Sequence, residues 1–152
     1  MALSDVLTLA YNQAIRLLAQ REHSRKELAD KISRKHELDQ AALNGLLDEL
    51  EQSGYLDEQR YAAMFVRSSV MRGHGPMKIT YALRDKGVDD EIVREAVESS
   101  DTDWLEQARY QREKKFGEEI PVDFKERARQ SRFLAGRGFY IDTINAVFHE
   151  KC

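Results

Sequence analysis

A chain of 152 residues with 41% apolar and 34% charged positions is long enough for one ordinary domain or several small stacked units. Only two prolines and eight glycines occur, which argues against a strand-and-turn architecture, and a single cysteine, Cys152, excludes a disulfide framework within the chain. There is no basic-then-apolar leader pattern and no apolar run of membrane-spanning length, so the expectation is a cytoplasmic protein with no membrane partner and an inert terminal thiol.

The net charge of −3 hides an alternation. Residues 16–35 hold seven Lys/Arg against three Asp/Glu, net +4, and residues 37–59 hold seven acids and no base, net −7. Residues 60–86 have six bases and one acid, net +5; 89–106 have one base and eight acids, net −7. A third basic block, 107–138, has nine bases and five acids, net +4.

In chain order, Leu3, Val6, Leu7, Ala10, Ala14, Leu17 and Leu18 are spaced for an opening helix over 3–19. Ser24-x-x-Glu27 is a capping box, in which each side chain satisfies the other's backbone amide, and it starts a short helix apolar at Leu28 and Ile32. Asp39 caps a third helix with Leu43, Leu46, Leu47 and Leu50 on one face. Gly54 then stops the chain in the left-handed conformation, with Tyr55 expected to pack back on the last turn. Asp57 caps a fourth helix, 57–72, whose expected buried stripe is Tyr61, Met64, Phe65 and Ser68; Arg60 and Arg67, seven apart, share an outward face. Gly73 and Gly75 break that helix, and Pro76 opens a basic helix to Lys86 that is apolar at Ile79, Ala82 and Leu83. Gly87 ends it, and Asp89 or Asp90 caps the next, buried through Ile92, Val93, Ala96 and Val97. A third round carries Trp104, Leu105 and Ala108, a loop from Phe116 to Pro121, then a helix with Phe124, Ala128, Ser131 and Ala135 in line. Gly138 stops that helix, and Ile141, Ile144, Asn145 and Phe148 mark a ninth.

Leu83, Lys86, Gly87, Val88 and Val93 overlay Leu134, Arg137, Gly138, Phe139 and Ile144 at a spacing of 51 residues. A period of this size signals stacked units that cannot each bury their apolar face alone. The expected fold is all-α, an elongated array of three tandem three-helix repeats with boundaries at 1–54, 55–99 and 100–152.

The block GYLDEQRYAAMFVRSSVMRGHGPMKI, Gly54 to Ile79, resembles the signature of the RecX family, bacterial regulators of the RecA recombinase. LLAQREHSRKEL (Leu17 to Leu28) resembles that family's first-repeat motif and FLAGRGFYIDTI (Phe133 to Ile144) its last, so the likeness spans nearly the whole chain. It departs at Ser68 and Ser69, where many members carry a further basic residue. The resemblance implies the same three-repeat architecture. It also implies a non-enzymatic, monomeric regulator that lies in the groove of the RecA–DNA filament, blocks strand exchange and ATP hydrolysis, promotes filament disassembly and so modulates recombination and the DNA-damage response.

No residue pattern suggests catalysis. His23, His36, His74 and His149 lack ligand spacing and are expected to be surface or capping residues, so no metal or other cofactor is implied. Gly73-His74-Gly75 is too short for a phosphate loop, and Asp57, Glu58, Asp89, Asp90 and Glu91 stand at helix starts where they complement the dipole. For any single arginine a solvated face is the ordinary explanation. The excess, however, falls on the first two helices of every repeat and spares the third. Arg25, Lys26, Arg60, Arg67, Arg72, Lys78, Arg129, Arg132 and Arg137 are therefore the expected partner-binding stripe, suited to an acidic protein groove or to the backbone of single- or double-stranded DNA. Most aromatic residues are assigned to core positions, so no stacking platform for single strands is evident. Helix-turn-helix reading of DNA is set aside because the helix over 39–53 carries no Lys or Arg. The competing function is a general DNA-binding accessory protein acting through phosphate contacts.

Overall fold

The computed structural model describes residues 2–149, so Cys152 lies outside the described residues. Among these there are nine α-helices and no strand, and the all-α expectation is met. They are α1 (Leu3–Gln20), α2 (Arg25–Lys35), α3 (Gln40–Gln52), α4 (Glu58–Met71), α5 (Pro76–Asp85), α6 (Asp90–Ser99), α7 (Trp104–Phe116), α8 (Phe124–Gly136) and α9 (Ile141–Phe148).

Helix starts follow the local chemistry. The carboxylates of Asp39, Asp57, Asp103 and Asp123 accept from the amides of Ala42, Arg60, Glu106 and Glu126 at 2.8–3.2 Å. Ser24 Oγ accepts from the Glu27 amide at 3.1 Å, but the reciprocal half of the expected capping box is not made. The Glu27 carboxylate takes both guanidinium nitrogens of Arg21 instead, at 2.6 and 3.1 Å, because a bidentate charged donor outcompetes a single amide. Gly54 does stop α3 at φ +81°, and the amides of Tyr55 and Leu56 both reach the Leu50 carbonyl. The residue that folds back over the helix end is Leu56, fully buried, while Tyr55 turns outward.

The chain forms two compact units. The first takes residues up to Met64 together with Leu83–Val93; its core joins Ala10 and Ala14 of α1, Leu28 and Ile32 of α2, and Leu43, Leu46, Leu47 and Leu50 of α3. The second takes Phe65–Ala82 with the chain from Arg94 onward; in it α7, α8 and α9 close over Ala108, Leu134, Phe139, Ile144, Val147 and Phe148. The 51-residue period is visible locally: Leu83 and Leu134 are completely buried, Val93 and Ile144 nearly so, and Gly87 and Gly138 both adopt positive φ.

Two stripes run differently from the sequence expectation. On α4 the buried line is Ala62, Val66 and Ser69, leading to Gly73, with Tyr61 also buried while Met64, Phe65 and Ser68 are only half-buried. On α8 the expected line of Phe124, Ala128, Ser131 and Ala135 fails: Phe124 is 82% exposed, and Gln130 and Leu134 are the buried pair. Gln130 is drawn inward by Arg112, which is 1% exposed and donates to Gln130 Oε1 and to the carbonyls of Glu118 and Glu119 at 3.1–3.2 Å. A buried cation must find acceptors, and it tethers the loop after α7 to α8. Ile141 is likewise exposed, leaving Ile144, Val147 and Phe148 as the buried face of α9.

His23 is not a surface histidine. It is 1% exposed; Nδ1 lies 3.0 Å from the Arg21 carbonyl and Nε2 lies 2.9 Å from Lys31 Nζ. A carbonyl only accepts and an ammonium only donates, so Nδ1 carries the hydrogen and Nε2 is bare. The ring is held neutral, and burial followed by the Arg21 and Lys31 charges pushes its pKa below the ordinary value of 6.5.

The corner between α4 and α5 depends on two different glycines for two different reasons. Gly73 has φ +85°, whereas Gly75 is required for space: a Cβ there would lie 2.5–2.6 Å from backbone atoms of Gly138 and Phe139. Gly75→Val should therefore destabilise the fold by about 1–3 kcal/mol through overpacking, measurable by urea denaturation. Gly73→Ala should cost about 1 kcal/mol or more, through backbone strain and through contact of its Cβ with the Gln111 side chain. An unchanged Gly75→Val midpoint would show that the two backbones need not touch.

Histidine burial also sets a pH dependence. Above pH 6.5 His23 is neutral whether folded or unfolded; below it the unfolded chain takes up the proton first. Stability should therefore be intact at pH 7 and above and fall as pH drops below about 6.5 toward the depressed folded value. Melting curves between about pH 7.5 and 5.5 should show this decline, and His23→Gln should flatten it while lowering stability at the upper end.

Candidate partner interface

The nine cations expected to form a stripe are divided by the fold into those already paired within the chain and those left open. In the first unit, Arg25 at the start of α2 reaches the α3 carboxylates Asp48 and Glu51, both at 2.8 Å, and the Asn44 carbonyl at 3.3 Å. Its amide donates to Glu58 at 2.8 Å, and burial raises the pKa of that carboxyl. The acidic third helix of the repeat thus neutralises the first cation of the second helix. Arg60 is braced by Glu22 at 2.9 Å and by the carbonyls of Gly54 and Tyr55, so its side chain clasps the corner before α4. Lys26 is exposed, its Nζ 3.3 Å from the Asp85 carbonyl at the end of α5 and its stem against Gly87.

In the second unit, Arg129 is held by Glu126 through two bonds of 2.7 and 2.8 Å and lies over the Phe116 ring. The Arg129 pair, with help from Gln130, holds the Glu126 carboxyl down at about 2. Arg67, Lys78 and Arg132 are exposed, and no hydrogen bond or ion pair joins any of them to another described residue.

Arg72, Lys78 and Arg137 gather at one place. The amides of Gly75 and Met77 donate to the carbonyls of Arg137 and Gly138 at 2.7 and 2.9 Å, so the start of α5 rests on the end of α8. The Arg137 guanidinium lies over the Phe133 ring and donates to the Arg72 carbonyl at 3.1 Å. A Cβ on Gly138 would collide with Lys78, which places that lysine directly beside the α8 cap. His74, half-buried, sits among the three, and burial together with the charges of Lys78, Arg72 and Arg137 pushes its pKa below the ordinary value.

The grouping of His74 with three cations was not visible in the sequence, nor were Arg112 and His23 as interior groups. A signal for Arg112 was present: Ala108, Gln111 and Arg112 stand at i, i+3 and i+4, and all three are buried. The assignment of the aromatics to the core is also corrected. Tyr81 is 76% exposed, and Tyr55, Tyr110, Phe124 and Tyr140 also face solvent. Among the described residues no group of acidic, histidine or cysteine side chains could hold a metal, and no helix is long and apolar enough to cross a membrane.

Three family models match in tandem: the RecX first three-helix domain over residues 10–43, the second over 57–97 and the third over 101–148. The chain is 47% identical over 134 residues to the regulatory protein RecX of Halorhodospira halophila, covering 88% of this chain and 83% of that protein. It is 34% identical over 144 residues to RecX of Legionella pneumophila, covering 95% of each. Its fold matches the crystal structure of RecX from Lactobacillus salivarius with a TM-score of 0.82 at 24% identity, over 95% of this chain and 96% of that one. Three consecutive domain matches and relatives alike over most of their length place this chain in the RecX family of regulatory proteins.

Proposed function

We propose that this chain is a non-enzymatic, monomeric, cytoplasmic regulator that binds RecA and the RecA–DNA filament and inhibits strand exchange and ATP hydrolysis, in keeping with the family resemblance. The units that meet the filament are the three repeats bounded at 1–54, 55–99 and 100–152, each able to engage successive protomers along a filament groove. The observation that supports this reading most directly is the sorting of the cations. Arg25, Arg60 and Arg129 are paired with carboxylates in the chain and brace the surface. Lys26 meets a backbone carbonyl and Arg72 a hydroxyl, while Arg67, Lys78, Arg132 and Arg137 carry charge that no described carboxylate neutralises. Uncompensated guanidinium and ammonium groups on a rigid helical scaffold suit an acidic groove or a phosphate chain, and favour association over any chemical step.

A plain DNA-binding accessory protein would use the same groups, and the two readings separate by experiment. Arg67→Glu and Lys78→Glu should weaken binding to RecA filaments and relieve ATPase inhibition. If those residues meet protein carboxylates, bare DNA is bound weakly from the start and the variants leave that unchanged. If they meet phosphates, filament and bare DNA affinities fall in parallel, and removing one phosphate partner lowers the slope of log affinity against log salt by roughly 0.7–0.9. Unchanged filament affinity for both variants would place the interface elsewhere. Arg25→Gln should instead lower stability, by about 1 kcal/mol or less in urea melts, as expected for an exposed ion pair. Arg60→Gln should shift the same melts slightly in the same direction.

A further inference from the structure

The corner that joins α4 to α5 gathers positive charge that no described carboxylate offsets. Four groups stand round it: Arg72 at the end of α4, His74 in the turn, Lys78 in the first turns of α5, and Arg137 at the cap of α8. Their mutual placement is set by backbone. The Arg137 guanidinium holds the Arg72 carbonyl at 3.1 Å, the Gly75 amide holds the Arg137 carbonyl at 2.7 Å, and Lys78 abuts Gly138. His74 is tied by its amide to the Ser69 carbonyl at 3.0 Å. Two neighbours are neutral: Ser69, whose hydroxyl lies 3.5 Å from Arg72, and Gln111, packed against Gly73. No carboxylate is paired with Arg72, Lys78 or Arg137 among the described residues. The free amides at the start of α5 are not the attraction, since those of Gly75 and Met77 are already donated to α8.

We propose that Arg72, His74, Lys78 and Arg137 form a phosphate-binding site in which the His74 imidazole takes up a proton as the anion binds. Like charges kept together without a counter-ion repel one another, and an anion carrying two or more negative oxygens removes that repulsion. Without the anion, burial and then the three flanking cations favour the neutral imidazole. With it, the charged imidazolium becomes a fourth favourable partner, so binding and protonation reinforce each other. Arg137 offers a planar fork fixed over Phe133, Lys78 a point charge, and Arg72 a second fork. The ligand class is a cluster of phosphate oxygens, supplied by a polynucleotide strand or by free polyphosphate. The inference rests on the functional reading above and deepens it by naming what one part of the cationic surface takes; its pH signature is absent from simple charge attraction.

The test titrates the full chain with pyrophosphate and, separately, with a fluorescent oligothymidylate at about pH 8 and pH 6, at fixed salt. The expected result is binding about three- to tenfold tighter at the lower pH, with His74→Gln abolishing the pH dependence. Lys78→Gln and Arg137→Gln should weaken binding at both pH values, whereas Arg67→Gln, outside the cluster, should not alter the pH dependence. Binding of both ligands with this signature identifies the strand backbone as an occupant, and binding of pyrophosphate alone identifies free polyphosphate. Affinity that is absent for both, or that does not respond to pH and to His74→Gln, overturns the proposal. Filament inhibition measured on the same variants keeps the two readings apart. A His74→Gln chain that loses the pH response but still inhibits supports both. A wild-type chain that binds phosphate as expected but does not inhibit the recombinase overturns only the functional reading.

Discussion

The start of α5 rests on the end of α8 through two backbone bonds, Gly75 amide to Arg137 carbonyl and Met77 amide to Gly138 carbonyl, across a gap that no side chain could enter. Two glycines on opposite sides of that junction make it possible, one because its Cβ would collide and one because its backbone must take positive φ as well. Once the junction is made, the ends of α4, α5 and α8 are fixed against each other, and so are the cations they carry. Lys78 and Arg137 have little choice of position. The charge arrangement of the second unit is therefore a consequence of backbone packing and was not assembled one side chain at a time.

A related arrangement occurs within the first unit, where the stem of Lys26 covers Gly87 and its ammonium reaches the Asp85 carbonyl. There the helix end is satisfied by a cation, as the helix dipole favours. In the first unit, part of the positive charge is absorbed within the fold. Arg21, Arg25 and Arg60 all end on carboxylates or carbonyls of their own surroundings. The second unit leaves Arg67, Lys78 and Arg132 open. What matters for a partner is the charge that remains after such intramolecular pairing.

Interior polar groups are largely satisfied, although the buried Arg112 Nε has no hydrogen-bond partner. Arg112 has no carboxylate partner and is stabilised by carbonyls of the loop after α7 together with Gln130, which pulls a polar residue into the core side of α8. His23 bridges a carbonyl and an ammonium and is confined to one tautomer. Each makes a local structure specific at some cost in desolvation, and each is sensitive to removal of a single partner.

Element type, helix number and most helix starts were readable in the sequence, because capping carboxylates, stop glycines and 3.6-residue periodicity act within a few residues of chain. The leucine face of α3 and the 51-residue correspondence of Leu83 with Leu134 were legible for the same reason. The phase of α4 and α8 was not, since Ala62, Ser69 and Gln130 are buried by what approaches them from elsewhere in the chain. The fate of each arginine was equally hidden: Arg25 meets Glu51 and Arg60 meets Glu22 across 26 and 38 residues of sequence. Local chain chemistry was enough to dictate a helical chain with periodic charge. Packing between distant segments settled which of those charges remain available to a partner, and set His74 among three of them, because only packing sets the distances over which charges cancel or combine.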